Sequence, residues 1–210
     1  MKYSIIIPHY NIPHLLKRWL SSIPIRDDVQ TIVVDDCSNE AALSELRAMQ
    51  IAFLTVQFYY LDENRGGGHA RNVGLLHATG EYVLFLDADD YYHDCINVFL
   101  DAYKEETADV IFFNADSIAP ITLNTSDRAN KLNSFIDDYF SREASDSMSL
   151  RYLFCGLNCK MVRKSLIDYH RVRFDELPAI DDVTFSYLVG YYAKTISISK
   201  GAEKQRLALA

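Results

Sequence analysis

Residues 3–114 alternate short apolar runs with segments of helical period, and that alternation restricts the fold more than any other feature. The runs YSIII (3–7), TIVVD (31–35), VQFYYL (56–61), YVLFLD (82–87) and DVIFFN (109–114) are rich in β-branched and aromatic residues. Several are apolar on both faces, as parallel strands covered by helices on each side must be. Segments near 12–22, 39–49, 66–78 and 93–106 read as helices, and EAALSELRAMQ and INVFLDAYKEE carry apolar residues at i, i+3, i+4 spacing. This repetition predicts a single α/β domain: a mostly parallel central sheet, right-handed crossovers, and helices flanking both sides.

The pattern changes after Asn114. Residues 115–150 are rich in Ser, Asn and Asp and read as a long connection with one or two helices, including the amphipathic LNSFIDDYF (132–140). LNCKMV (157–162) reads as a strand, DDVTFSYLVGYY (181–192) as a helix and TISIS (195–199) as a last strand. The terminal GAEKQRLALA reads as a frayed end or the start of a further segment.

Composition narrows the class. With 210 residues, 49% of them apolar, the chain has material for one sizeable core. It carries 21 basic against 29 acidic residues, a net charge of −8, and no Lys/Arg block. That argues against a nucleic-acid partner but not against a small phosphorylated ligand. Cys37, Cys95, Cys155 and Cys159 lack a metal-site spacing and read as free thiols in a reducing compartment. The start, MKYSIIIPHY, is too short for a signal peptide or membrane span, so a cytoplasmic protein is expected.

In an open parallel sheet, ligands bind beyond the carboxyl ends of the strands. Polar groups gather at four such ends: Pro8-His9-Tyr10-Asn11, Asp35-Asp36, the DENRGGGHARN segment, and Asp87-Ala88-Asp89-Asp90. In DADD, alternation puts Asp87 and Asp89 on one side, where two carboxylates repel unless a cation lies between them. Hard oxygen donors suit Mg²⁺ or Mn²⁺ with a diphosphate. The competing reading is that Asp89 and Asp90 cap a helix beginning near His93. The Gly-rich turn leads into a helix start, which favours an anion. Arg71, one turn in, either reaches a phosphate or nucleobase or pairs with an acid such as Asp36. His69 reads as a polar loop contact. Asp181 and Asp182, at the start of a later helix, either complement its dipole or supply a general base.

Taken in order, SIIIPHYN, VVDDCS, NRGGGHARNVGL, FLDADD and DDVTF resemble the motifs of the inverting family 2 nucleotide-sugar glycosyltransferases of the GT-A fold. The resemblance runs from residue 4 to 185. It implies that Pro8, Tyr10, Asp36 and Arg71 hold the nucleotide base, usually uracil, with Asn11, Asp35, Asn64, Gly67 and Ala88 completing the nucleotide-sugar contacts. Asp87 would lie near the ribose or share the metal, and Asp89 would ligate the Mn²⁺ or Mg²⁺ that bridges the diphosphate. Asp182 would deprotonate the acceptor hydroxyl of a glycan or lipid-linked acceptor in one inverting step. Residues 1–113 would form the nucleotide-sugar half and 114–210 the acceptor half. The class allows peripheral association at the inner face of the plasma membrane.

There are two departures from the family pattern. Asp181 stands where the family usually has Glu, leaving Asp181 and Asp182 both candidates for the base. Cys37 replaces the usual Gly, which is tolerated if its backbone angles are ordinary. The chain also stops soon after the base-bearing helix, as either a truncated piece or a minimal enzyme. The alternatives are a sugar-phosphate nucleotidyltransferase, whose N-terminal Gly-rich loop and Lys segment are missing here, or a non-catalytic nucleotide-sugar-binding domain, which would have little use for so many carboxylates along one edge.

Overall fold

A computed structural model of the chain describes residues 1–93, 95–117, 129–141, 147–177, 180–199 and 207–209. The first half runs β1 (Tyr3–His9), α1 (Pro13–Leu20), β2 (Val29–Asp35), α2 (Glu40–Ala52), β3 (Val56–Tyr60), α3 (Gly67–His77), β4 (Tyr82–Phe85) and α4 (Ile96–Ala102). The second runs β5 (Val110–Phe112), β6 (Ala115–Ser117), α5 (Asn130–Ser141), α6 (Met148–Tyr152), β7 (Lys160–Arg163), α7 (Lys164–His170), α8 (Asp182–Tyr192), β8 (Ile196–Ile198) and β9 (Leu207–Leu209).

Seven strands form one mixed sheet in the order β3-β2-β1-β4-β7-β5-β8. Every pairing is parallel except those of β7, which runs antiparallel to both β4 and β5. All seven residues of β2 are buried, as are Ile5, Ile6 and Ile7 in a row on β1. Successive side chains of a strand point to opposite faces. Burial of both sets therefore means that the sheet is covered on both sides, as the unbroken apolar runs require. The chain builds β1, β2 and β3 outward in one direction and then places β4 on the other side of β1. That reversal opens a crevice beyond the ends of β1 and β4, where α/β sheets bind ligands.

The structure departs from expectation at several elements. β4 ends at Phe85, although the Leu86 N–H still donates to the Ile6 carbonyl at 3.0 Å before the chain turns into the acids. α4 begins at Ile96 with Cys95 as its N-cap residue, so Asp89 and Asp90 do not cap it. The short α7 carried no start signal: it leaves β7 directly, with Arg163 making no side-chain cap, and stops where Arg171 turns left-handed at φ 54°. The expected connection after Asn114 opens with β6, and the terminal segment, read as a frayed end or the start of a further segment, supplies β9, paired parallel with β6. Residues 118–128 and 142–146 of that connection lie outside the described residues. α5 confirms its amphipathic piece. All four cysteines are free thiols. Among the described residues no helix is long and apolar enough to cross a membrane.

Cys37 adopts φ 60°, the left-handed region, so its backbone angles are not ordinary. A side chain there costs about 1–2 kcal/mol against the right-handed form, which a glycine avoids at some expense in unfolded-state entropy. Cys37→Gly is expected to stabilise the fold by about 0.5–1 kcal/mol, raising the melting temperature by about 2 °C. A melt that falls would show that the thiol's 3.4 Å contact with the Asp62 carbonyl outweighs the backbone relief.

Candidate functional site

The crevice holds a cavity of about 590 Å³. Pro8 and Tyr10 from β1, Asp36 beyond β2, Asn64 and Gly67 at the Gly-rich turn, and Asp87, Ala88 and Asp89 beyond β4 all line it. Eight of the residues singled out from the sequence are thus brought together. Arg71, Asp181 and Asp182 line a neighbouring cavity, and two others, Asp35 and Asn11, line neither. Asp35 faces inward: its carboxylate accepts from His9 Nδ1 at 2.7 Å, from the Ser38 hydroxyl at 2.5 Å and from the Ser38 N–H at 3.0 Å. His9 Nε2 accepts from the Ile12 N–H at 3.3 Å, so its proton sits on Nδ1 and points at Asp35. Burial would raise the Asp35 carboxyl, but the bonds from His9 and Ser38 hold it below its ordinary value. Asn11 is occupied at the start of α2, its side-chain oxygen accepting from the Asn39 N–H at 2.9 Å and from the Asn39 amide at 2.8 Å.

Asp36 organises the Gly-rich turn. Its two oxygens accept the backbone N–H groups of Arg65 at 3.0 Å and Gly66 at 2.6 Å. Gly66 holds φ 90°, where a Cβ would be strained and would stand 2.9 Å from the Leu177 carbonyl. A Cβ on Gly68 would lie 2.1 Å from the Asp175 carbonyl, so the start of α3 is pressed directly against the segment leading to α8. Asn72 fastens the same segment, accepting from the Phe174 N–H at 2.9 Å and donating to its carbonyl at 3.0 Å.

Arg71 is not paired with Asp36. Its guanidinium forks between Asp87 and Asp181, at 2.6 Å to each, and lies 5.6 Å from the Phe174 ring centroid. Arg71 lines a second cavity of about 400 Å³, together with Lys131, Asn158, Asp181 and Asp182. Asp87 borders both cavities. Burial pushes the Asp181 carboxyl up, and Arg71 draws it only partly back. The Asp182 carboxylate makes no hydrogen bond to another described side chain.

The carboxylates of Asp87, Asp89 and Asp90 offer oxygens within 4.8 Å of one another. Asp90 is buried, its N–H bonded to the Asp87 carbonyl at 3.0 Å and its carboxylate accepting from the Asn158 amide. That bond joins the acid turn to the loop before β7. Sequence reasoning missed this link, and it also missed Glu176. Glu176 lines the first cavity, pairs with Arg65 and approaches His69 Nδ1 at 3.0 Å, so the polar loop contact of His69 is with an acid. The His69 contact and the Arg65 pair hold the Glu176 carboxyl below its ordinary value despite some burial. The only available signal for Glu176 was its place in FDELPAIDD, five residues before Asp181.

Comparison with known proteins bears on the family and the fold. Residues 4–170 match the sequence model of the family described as Glycosyl transferase family 2. The poly(ribitol-phosphate) beta-N-acetylglucosaminyltransferase TarS of Staphylococcus aureus is 28% identical over 94% of this chain and 34% of its own length. A teichoic acid poly(glycerol phosphate) polymerase of Staphylococcus epidermidis is 30% identical over 83% of this chain and 24% of its own. The chain therefore spans between a quarter and about a third of these curated relatives. The crystal structure of S. aureus TarS 1-349 in complex with UDP-GlcNAc superposes with a TM-score of 0.76 over all of this chain and 58% of that one, at 24% identity. At that identity the likeness speaks for the fold, which is GT-A. The family match spans β1 through α7 and takes in the whole first cavity except Glu176, and on it the chain belongs to glycosyltransferase family 2.

Proposed function

We propose that this chain transfers a sugar from a UDP-linked donor to an acceptor hydroxyl, with inversion at the anomeric carbon and dependence on a divalent metal, in the synthesis of a cell-surface polymer or glycoconjugate. The observation that carries the reading is the position of Asp87, which borders both cavities and lies beside Asp89 and Asp90. A donor in the first cavity, with its diphosphate near these acids, would present its sugar toward the second, where Asp181 and Asp182 wait. The two halves of the chain divide accordingly. Apart from Glu176, residues 8–89 line the first cavity, and apart from Arg71 and Asp87, residues 131–182 line the second. The relatives named for ribitol-phosphate and glycerol-phosphate polymers point to the same broad chemistry.

The acid set suits a small hard cation. All three side chains offer carboxylate oxygen, the donor type of Mg²⁺ and Mn²⁺. Asp89 and Asp87 would hold the ion, which when bound offsets the charge that develops on the leaving diphosphate. The chain's own residues do the rest. Pro8, Tyr10 and Asp36 seat the base, and the start of α3 offers backbone N–H groups to the anion. Asp182 takes the acceptor O–H proton as that oxygen bonds to the anomeric carbon. The bond from that carbon to the diphosphate breaks, and its electron pair leaves with the nucleotide.

A thermal-shift panel of UDP-, GDP- and TDP-sugars with Mn²⁺ tests the reading. A ligand at a hundred times its Kd adds about 2.7 kcal/mol, roughly 5–10 °C for a chain of this size. A UDP-sugar is expected to give that shift, and Asp89→Ala to erase its Mn²⁺-dependent part. A panel in which no nucleotide-sugar raises the melt sinks the proposal.

A further inference from the structure

The structure holds a lysine where that residue type almost never sits. Lys160, on β7, is 2% exposed. Its ammonium lies between the Phe112 and Phe154 rings, 5.7 and 5.5 Å from their centroids. It donates to the Phe154 carbonyl at 2.8 Å and to the Ser186 hydroxyl at 3.2 Å, and Ser186 in turn donates to the Cys155 carbonyl at 2.9 Å. One buried cation therefore ties β7 to the loop after α6 and to α8. Residues 156–159, between the loop carbonyls that Lys160 and Ser186 hold and Lys160 itself, line the second cavity.

Ser186 follows Asp182 by four residues on α8. Side chains at that spacing lie on one face, about 6 Å apart along the axis. An anchor at Ser186 therefore sets the placement of the helix face that carries Asp182. We propose that Lys160 is a positioning residue for the candidate base, holding the first turn of α8 against the floor of the second cavity through Ser186. This rests on the transferase reading above.

The charge itself calls for this role. A methionine would fill the same space without stripping water from an ammonium, and such exchanges are often neutral or stabilising. The titratable groups acting on Lys160 are the Cys155 and Cys159 thiols, one on each side of the cavity-lining loop, and the Asp182 carboxylate. A fixed cation in the core thus feels the charge of the one carboxylate in the second cavity that makes no hydrogen bond to another described side chain. Burial lowers the Lys160 ammonium to about 8, so the charge is present at neutral pH and is lost as pH rises through that value.

The test compares Lys160→Met, Ser186→Ala and Asp182→Asn, alone and combined, by sugar transfer and by UDP binding with Mn²⁺. Lys160→Met is expected to lower kcat about tenfold, with KM for the donor and UDP binding within twofold of wild type. Wild-type turnover is expected to decline above about pH 8 as Lys160 loses its proton, and the Lys160→Met enzyme to lack that decline. Ser186→Ala, which leaves the charge buried, is expected to lower kcat several-fold. In the Asp182→Asn background, Lys160→Met is expected to change the residual rate by less than twofold, because it acts through Asp182. An equal tenfold loss in that background, or a Lys160→Met enzyme with wild-type kcat and pH profile, overturns the proposal. If Lys160→Met fails to fold, Ser186→Ala at the wild-type rate overturns it instead. A wild-type chain that binds UDP-sugar but transfers nothing overturns the transferase reading, and this role with it.

Discussion

Replacing Asp182 with asparagine is expected to lower turnover by about 10²–10⁴-fold while UDP binding stays within about twofold of wild type, the range that general-base catalysis supplies. The amide keeps the size and place of the side chain but cannot take the acceptor proton. Asp181 is the rival. Burial raises its carboxyl, which suits a base, but one oxygen is already held 2.6 Å from Arg71. A carboxylate committed to a guanidinium is a weaker proton acceptor and a better brace. Asp181→Asn is therefore expected to cost less turnover than Asp182→Asn and to lower the melt as well. If Asp181→Asn alone stops transfer and Asp182→Asn leaves it intact, the two residues exchange roles.

The second large effect is expected at Arg71. Its side chain is 10% exposed, and its partners Asp87 and Asp181 are 34% and 15% exposed. Removing one member of a buried ion pair typically destabilises by 3–5 kcal/mol; with Asp87 partly in solvent, about 2–3 kcal/mol is the better figure for Arg71→Ala. For a chain of this length that is roughly a 5–10 °C fall in melting temperature. Arg71→Lys is expected to recover little, since a single ammonium cannot fork to both acids. A melt unchanged in Arg71→Ala would show that the bridge contributes no stability.

How much of this was legible in the sequence depends on the range of the interaction. The strands of the first half announced themselves because each is a buried apolar run, and the acids at their ends followed from sheet topology. Asp36 was found for the right neighbourhood, but its hold on the Arg65 and Gly66 N–H groups is a backbone contact across 29 and 30 residues, and no side-chain pattern records it. The acid pair expected of Arg71 is present, but with Asp87 and Asp181 in place of Asp36, the acid offered as the example. Asp181 lies 110 positions away and Asp87 sixteen, on an element whose docking only the folded sheet sets. The condition set for Cys37, ordinary backbone angles, fails because φ is a property of the turn, and a cysteine gives no warning of it. α7 was missed because it begins without a cap, and β9 because a three-residue parallel pairing has no periodicity to read.

The antiparallel insertion of β7 has a consequence for how the chain acquires its shape. β4 belongs to the first half, yet its second neighbour in the sheet is a strand some 75 residues later, and β5 joins only through that same strand. During synthesis, β4 is expected to leave the ribosome with one hydrogen-bonding edge bare and to keep it bare until residue 163 has emerged. An exposed strand edge is an invitation to another chain. A fragment ending near residue 113 is therefore expected to recruit copies of itself through β4 rather than to persist as a separate nucleotide-binding unit.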